Sequence, residues 1–325
     1  MIGRVAWITD PGRRRRHNED AYVCEPPLFA IADGMGGAQA GEVASRLAAA
    51  ALKESGADTG GEQRIVDLIQ EANRRVYDRS STDPNTSGMG TTITVALAED
   101  GQVAFGHVGD SRAYLIRDGA MEQVTEDHSL VNELLKSGKL SPEEAETHPQ
   151  RSVITRALGT DPDVDVDTFT IDAETGDVFL LCSDGLTDMV DEHRILELVE
   201  ENRGDIEAAL KALVRAANRG GGEDNITVVA FEIADAAVND GQTQEQALPP
   251  EIAARRKVED EETLDEVDAV PVVDTAVVPT DEIQEQLAAE KRTRRRKLRR
   301  RILAWLGLLA FLAAIAVLVV WRLVT

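Results

Sequence analysis

Over the first 234 residues, short apolar runs that stop abruptly at a turn alternate with longer stretches of helical spacing. Leu28–Ala32 (LFAIA) is apolar throughout and ends in Asp33-Gly34. A glycine-rich turn follows, then a stretch from 42 to 54 with Val43, Leu47, Ala50 and Ala51 on one helical face. Residues 62–79 predict a second amphipathic helix, with Ile65, Leu68, Ile69, Ala72 and Val76 together. Residues 4–9 read as an opening strand. Segments 90–98, 102–108 and 112–117 read as three strands joined by short turns, with a hairpin at Asp118-Gly119, which predicts an antiparallel sheet. The polar stretch 125–151 breaks this rhythm. It predicts one short helix at 130–136 and another after Ser141-Pro142-Glu143-Glu144, in an insertion beside the sheets. Residues 165–171 alternate like a strand. Val178–Cys182 is apolar and ends in Ser183-Asp184-Gly185, repeating the design of LFAIADG. Two amphipathic helices, 191–202 and 206–219, precede GGGEDN and a last strand, Ile226–Ile233.

The pattern changes after residue 234. Residues 235–290 are rich in Asp, Glu, Pro and Ala, lack aromatics and show no sustained period, which predicts a disordered acidic linker. Residues 291–301 (KRTRRRKLRRR) carry nine positive charges in eleven positions, a basic juxtamembrane segment. Residues 302–321 hold no charge for twenty positions, long enough for a transmembrane helix, read here as 302–324. Positive charge before the span predicts a single pass in the cell membrane with the preceding domain cytoplasmic. The first residues lack the apolar core of a signal peptide, so nothing there predicts export of the domain.

The 325 residues carry a net charge of −24, and residues 1–234 alone hold 22 Lys+Arg against 43 Asp+Glu. Such a surface repels nucleic acid. Cys24 and Cys182 lie in or beside apolar runs and read as small buried hydrophobes, not a disulfide. The glycine-rich turn is no dinucleotide fingerprint, because Gln39 stands at the third glycine, and the chain has no phosphate-binding GxxxxGK[ST]. A strand that delivers a carboxylate into a glycine turn does suit a hard cation, since glycine lets backbone carbonyls approach the ion.

Acidic residues recur at turns beside apolar strands: Asp33, Asp110, Asp184 and Asp224, with Asp20 a fifth. Carboxylate and carbonyl donors without clustered His or Cys fit Mg²⁺ or Mn²⁺, not Zn²⁺. Two such ions about 3.5–4 Å apart can share a hydroxide and clamp a phosphoryl group for in-line attack, and a guanidinium can hold the remaining phosphate oxygens.

The motifs RRHNEDA, LFAIADGMGG, GTTITVAL, GHVGDSRAYLIRDG, QRSVITRALG, LLCSDGL and GGGEDNITVV, in this order, resemble the bacterial branch of the metal-dependent serine/threonine protein phosphatases of type 2C. The resemblance covers about the first 234 residues and implies an α+β fold, a four-layer α-β-β-α sandwich of two antiparallel sheets flanked by helices. It implies that Asp33 bridges two metal ions, that Gly34 supplies a carbonyl ligand, and that Asp184 and Asp224 supply further carboxylates. It places Asp20 and Glu19 on metal-bound waters and Arg15 on the phosphate. Asp110, the carbonyl of Ser152, and Asp184 match the ligands of a third ion found in bacterial members, and 125–151 matches a flap. Arg13, Arg14 and Arg16 read as a solvated loop. The implied cofactors are two or three Mn²⁺ or Mg²⁺ ions. The implied partners are phosphoprotein substrates and a serine/threonine protein kinase. One position departs from many eukaryotic members: Met35 stands where their proposed general-acid histidine lies, which leaves that role to a metal-bound water. His17, His107, His128, His148 and His193 read as structural or surface residues.

Two alternatives share this pattern. One is a phosphatase dedicated to a regulatory anti-sigma-factor antagonist, which only substrate profiling separates. The other is an inactive fold kept as a membrane-anchored binding module. Its signature would be a lost metal carboxylate or arginine, and every matched position is intact.

Overall fold

The computed structural model describes residues 2–36, 40–54, 60–146, 148–234 and 276–277. The linker, basic segment and apolar span predicted beyond 234 lie outside these residues, apart from Ala276–Val277. Among the described residues, no helix is long and apolar enough to cross a membrane.

Two five-stranded antiparallel sheets form the frame. The first has the order β1 (Ile2–Asp10), β13 (Ile226–Ile233), β12 (Val178–Cys182), β8 (Arg112–Arg117), β9 (Ala120–Gln123). The second has the order β11 (Asp167–Asp172), β7 (Gln102–Val108), β6 (Ile93–Glu99), β3 (Leu28–Ala32), β2 (Ala21–Glu25). Successive strand residues face opposite ways, so a strand covered on both sides is apolar throughout. Phe29 and Ile31 of β3 enter the layer between the sheets, where Phe179, Leu181, Phe231 and Phe105 meet them. Phe29 and Phe231 stack across that layer with ring centroids 4.0 Å apart.

The opposite residues of the same strands face helices. Leu28, Ala30 and Ala32 pack under α1 (Ala40–Glu54) and α2 (Gly61–Thr82), through Ala44, Ala48, Ile65, Leu68 and Ile69. Val178, Leu180 and Cys182 pack under α6 (Glu192–Glu201) and α7 (Ile206–Gly220). Asp191 and Asp205 cap these two helices by accepting from the backbone N–H of Arg194 and Ala208. The result is helix, sheet, sheet, helix, with three apolar layers.

Two readings need correction. Segment 112–117 does not continue the sheet of its two predecessors: β6 and β7 pair, but β8 crosses into the other sheet between β12 and β9. The crossing is at Gly109, whose φ is +118° and whose missing Cβ would stand 2.5 Å from Thr92 Cβ. Only glycine fits that approach and that backbone conformation. Cys182 is buried, but Cys24, on the edge strand β2, is only partly so.

Residues 125–151 contribute no strand to either main sheet. They contain α3 (Leu130–Lys136) and α4 (Pro142–Glu146). The start signal of α4 works reciprocally: Ser141 N–H donates to Glu144 Oε2, and Glu144 N–H to Ser141 Oγ. Short strands Gly34–Met35 and Gly90–Thr91 pair as β4 and β5, and Val153–Ile154 (β10) pairs in parallel with Ala276–Val277 (β14).

Candidate metal centre

Strand ends from both sheets place carboxylates at one end of the sandwich. Asp33 leaves β3 with its backbone fixed: its N–H donates to Thr92 Oγ1, while its carbonyl accepts from Thr92 N–H and Thr91 Oγ1. At Gly34 a Cβ would stand 2.2 Å from the Gly41 carbonyl oxygen and 2.5 Å from that of Glu19. Both obstacles are backbone, so the start of α1 and the Asn18–Asp20 loop close onto Gly34 only because it lacks a side chain. From the other sheet, β12 delivers Ser183 and Asp184, and the turn before β13 delivers Asp224 and Asn225.

Side chains between these turns lock them together. Buried Ser183 donates through Oγ to Asp20 Oδ2 at 2.9 Å and accepts from Thr227 N–H. Buried Asn225 donates through Nδ2 to the carbonyls of Pro11 and His17 and accepts the Glu19 N–H at Oδ1. Arg15 Nη2 donates to Asp224 Oδ2 at 2.8 Å.

The charges reinforce one another. Burial, then Asp20, Asp184, Asp224 and Asp110, hold Asp33 well above the ordinary carboxylate range. Burial, then Asp110, Asp188, Asp224 and Asp20, do the same to Asp184. Burial pushes Asp20 up to about 6 against hydrogen bonds from Thr227 and Ser183. It pushes Asp110 up to about 7, helped by Asp127 and Asp188. Burial also raises Glu19, opposed by Arg15. Each shift records the cost of holding negative charge among like charges away from water.

These residues fit divalent cations. Asp20 Oδ1 and Asp184 Oδ1 are buried without a hydrogen-bond partner, and a buried anionic oxygen without a partner is costly unless a cation takes that place. Among the described residues, no three acidic, histidine or cysteine side chains already form a closed cage. The centre offers the carboxylates of Asp33, Asp184 and Asp224 and the Gly34 carbonyl, oxygen donors of the kind that Mg²⁺ and Mn²⁺ prefer.

Beside this centre, a cavity of about 400 Å³ is lined by Asp110, Ser152, Asp184, Asp188 and Arg151, with α3 on its far wall. Asp188 is raised by burial while Arg151 and Arg112 oppose the shift. His128 holds the Gly109-Asp110 turn, and His107 lies against His128 with ring centroids 4.8 Å apart. His107 is fully enclosed, and burial lowers it to about 3, so it is neutral between Thr94 Oγ1 and the Glu126 carbonyl. His128 accepts the Gly109 N–H at Nδ1, which leaves Nε2–H to donate to Asp167 Oδ2. Exposed His193 pairs with Glu197 on its own helix, and exposed His17 contributes its backbone carbonyl to the Asn225 network.

The structure thus brings Arg15, Glu19, Asp20, Asp33, Gly34, Asp184 and Asp224 together, with Asp110 and Ser152 along the adjoining cavity. Sequence reading missed Ser183, Asn225 and Asp188. Ser183 and Asn225 each sit beside a recognised aspartate, and that adjacency was the available signal.

A family model described as protein phosphatase 2C matches residues 13–202. The serine/threonine phosphatase stp of Listeria innocua serovar 6a is 43% identical over 236 residues, which is 69% of this chain and 93% of that protein. The crystal structure of the Mycobacterium tuberculosis serine/threonine phosphatase PstP/Ppp superposes with a TM-score of 0.68 at 38% identity, covering 72% of this chain and 100% of that one. The catalytic domain of PstP in complex with two manganese ions gives a TM-score of 0.66 at 36% identity, covering 72% and 99%. With the fold, the acidic centre and these likenesses in agreement, the chain belongs to the protein phosphatase 2C family.

Proposed function

We propose that this protein hydrolyses phosphoserine and phosphothreonine in other proteins, with Mn²⁺ or Mg²⁺ as cofactor, from a position tethered to the cell membrane. The observation that carries the hydrolytic reading is the pair of buried carboxylate oxygens without partners, Asp20 Oδ1 and Asp184 Oδ1, in an acidic ring with Arg15 on Asp224 at its edge.

Asp33, the Gly34 carbonyl, Asp184 and Asp224 would hold two ions. Asp110, the Ser152 carbonyl and Asp184 would hold a third. When bound, such ions lower the pKa of water and neutralise charge developing on a transferring phosphoryl group. The remaining work belongs to side chains. Arg15 presents a planar fork that matches two phosphate oxygens and turns the phosphorus toward the acidic ring. Asp20 is oriented by Ser183 at Oδ2, which aims Oδ1 into the centre as a proton acceptor. Glu19, fixed through its backbone by Asn225 and Ser45, stands behind Asp20 as a second acid. Met35, buried, offers no proton to the leaving alkoxide.

Support for tethering at the cytoplasmic face comes from the uncharged stretch 302–321 after nine positive charges. The targets of a serine/threonine kinase are the natural substrates of such an enzyme. The test is hydrolysis of an aryl phosphate and of phosphoserine peptides with Mn²⁺ and with chelator. Activity that needs the ion and returns with it supports the reading. Activity indifferent to chelation, or none on either substrate, would sink it.

A further inference from the structure

The arginine run around Arg15 is larger than one phosphate needs. Arg13, Arg14 and Arg16 are exposed on the loop between β1 and β2. Among the described residues, nearly every arginine lies within reach of a carboxylate; those without one are Arg13, Arg14, Arg16, Arg215 and Arg219. With 43 acids to 22 bases in residues 1–234, cations left unpaired are not explained by shortage of partners.

These five arginines belong to one corner of the fold. Arg215 and Arg219 are exposed, one turn apart on α7, and Arg219 immediately precedes the Gly220–Gly222 turn. Gly222 carbonyl accepts the backbone N–H groups of both Arg13 (2.7 Å) and Arg14 (3.2 Å). The acids on the same turns do not cancel this charge. Asp10 Oδ1 accepts from Gly12 N–H and Asn218 Nδ2, Asp224 is held by Arg15, and Glu223 is a single partly exposed carboxylate.

The loop is also rigid. Asn225 holds the carbonyls of Pro11 at 3.1 Å and His17 at 3.0 Å, so both ends of the run are anchored to the turn that carries Asp224. An anchored backbone spares the loop the entropy of ordering its main chain when the arginines capture an anion. An extended peptide advances about 3.3–3.6 Å per residue. With one phosphate at Arg15, a residue two or three positions away lies roughly 7–11 Å along an extended peptide, a span comparable to the spacing of the arginines within the run.

We propose that Arg13, Arg14 and Arg16 form a subsite for a second phosphorylated residue close to the one being hydrolysed, so that the enzyme selects multiply phosphorylated segments. This rests on the phosphatase reading above. The guanidinium fork matches a phosphate bidentately, which distinguishes this partner from a merely acidic flank.

The test uses the full chain and two phosphoserine peptides of the same sequence, one carrying a non-hydrolysable phosphonate two residues away. The wild type should show a KM lower by roughly tenfold or more for the phosphonate peptide, and the difference should shrink in about 0.5 M salt. The triple variant R13Q/R14Q/R16Q should lose the difference while hydrolysing an aryl phosphate as the wild type does. That last measurement also separates this proposal from the phosphatase reading, which is decided by whether the wild type hydrolyses aryl phosphate in a metal-dependent way. Equal KM values in the wild type, or a preference that survives the triple variant, would overturn the subsite. So would a triple variant that turns over aryl phosphate faster, because the chain's own acidic stretch 259–268 would then be the occupant.

Discussion

Asp184 shows how one side chain can cost the metal-free fold stability and still be indispensable. Its Oδ1 is buried without a partner, and four neighbouring aspartates raise its pKa further. An amide of the same shape removes that repulsion and also removes a charge the cations need. Asp184→Asn should therefore cut turnover at saturating Mn²⁺ by at least ~100-fold, while the metal-free variant melts no lower than wild type. Near-normal turnover in that variant would remove Asp184 from the centre. In the proposed mechanism Arg15 acts on the phosphate, not the ions. Arg15→Ala should raise KM with a smaller fall in kcat, since it binds phosphate in ground and transition states alike. Arg15→Lys should recover only part of the loss, because an ammonium lacks the planar fork. If Arg15→Ala is silent and Arg13→Ala or Arg16→Ala is not, the phosphate contact belongs to another arginine of the run.

At the scale of elements, the site depends on a loop and two turns from different sheets closing on one another, and Asn225 is the common fastener. Asn225→Ala would leave the Pro11 and His17 carbonyls and the Glu19 N–H without partners. A fully buried polar group so orphaned costs about 1–3 kcal/mol; these bonds are part-buried, so water replaces some of what is lost. Chemical denaturation should show a loss of at least ~1 kcal/mol, and KM for phosphopeptides should rise because Arg15 is no longer held. An Asn225→Ala protein with wild-type midpoint and KM would show that the loop holds its shape unaided. The strands that deliver Asp33 and Asp184 were legible because burial on both faces writes itself as an unbroken apolar run ending at Asp-Gly. The start signal at Ser141 was equally local. Strand β2 was not read: Tyr22–Glu25 is short, polar at one end and stopped by Pro26-Pro27, and its place at a sheet edge is set by pairing with β3. The crossing of β8 was also hidden. A short turn between strands looks alike whether the next strand joins the same sheet or the facing one, and the difference lies in Thr92 closing on Gly109 and Ser111. Candidate metal residues were legible as types at turns. That Ser183 orients Asp20 became visible only when residues 163 positions apart met.

For the whole molecule, the acidic excess makes stability depend on pH and on cations together. Asp20 and Asp110 have folded-state pKa values of about 6 and about 7, above the ordinary 3.8. A raised carboxylate favours the folded state fully at low pH and loses that contribution as pH rises through the folded value. The metal-free protein therefore forfeits stability from these groups between about pH 4 and 7, where divalent ions must displace the same protons. The rise in thermal midpoint on adding Mn²⁺ should be larger at pH 7.5 than at pH 5.5. His107, lowered to about 3, destabilises the fold in acid with the opposite sign, but it does so with and without the ion and cancels in the difference. A metal-induced shift independent of pH would contradict the raised carboxylates. The same net charge bears on the proposed tether. An acidic domain and an acidic segment 235–290 are repelled by anionic headgroups, whereas the nine cations of 291–301 are attracted to them. The uncharged stretch 302–321 has Trp305 and Trp321 near its two ends, where interfacial anchors belong. Charge attraction alone is screened by salt, but burial of about twenty apolar residues in lipid is not. The full chain should therefore sediment with membranes and stay there in high salt, coming off only in detergent. Truncation after Asp235, beyond β13, the last strand of the two main sheets, removes the short β14 but neither main sheet, and should give a soluble phosphatase with undiminished kcat/KM on an aryl phosphate. Release of the full chain by salt alone would reduce the attachment to electrostatics. Cleavage of the catalytic domain by protease added outside intact cells would invert the orientation that the positive charges at 291–301 require.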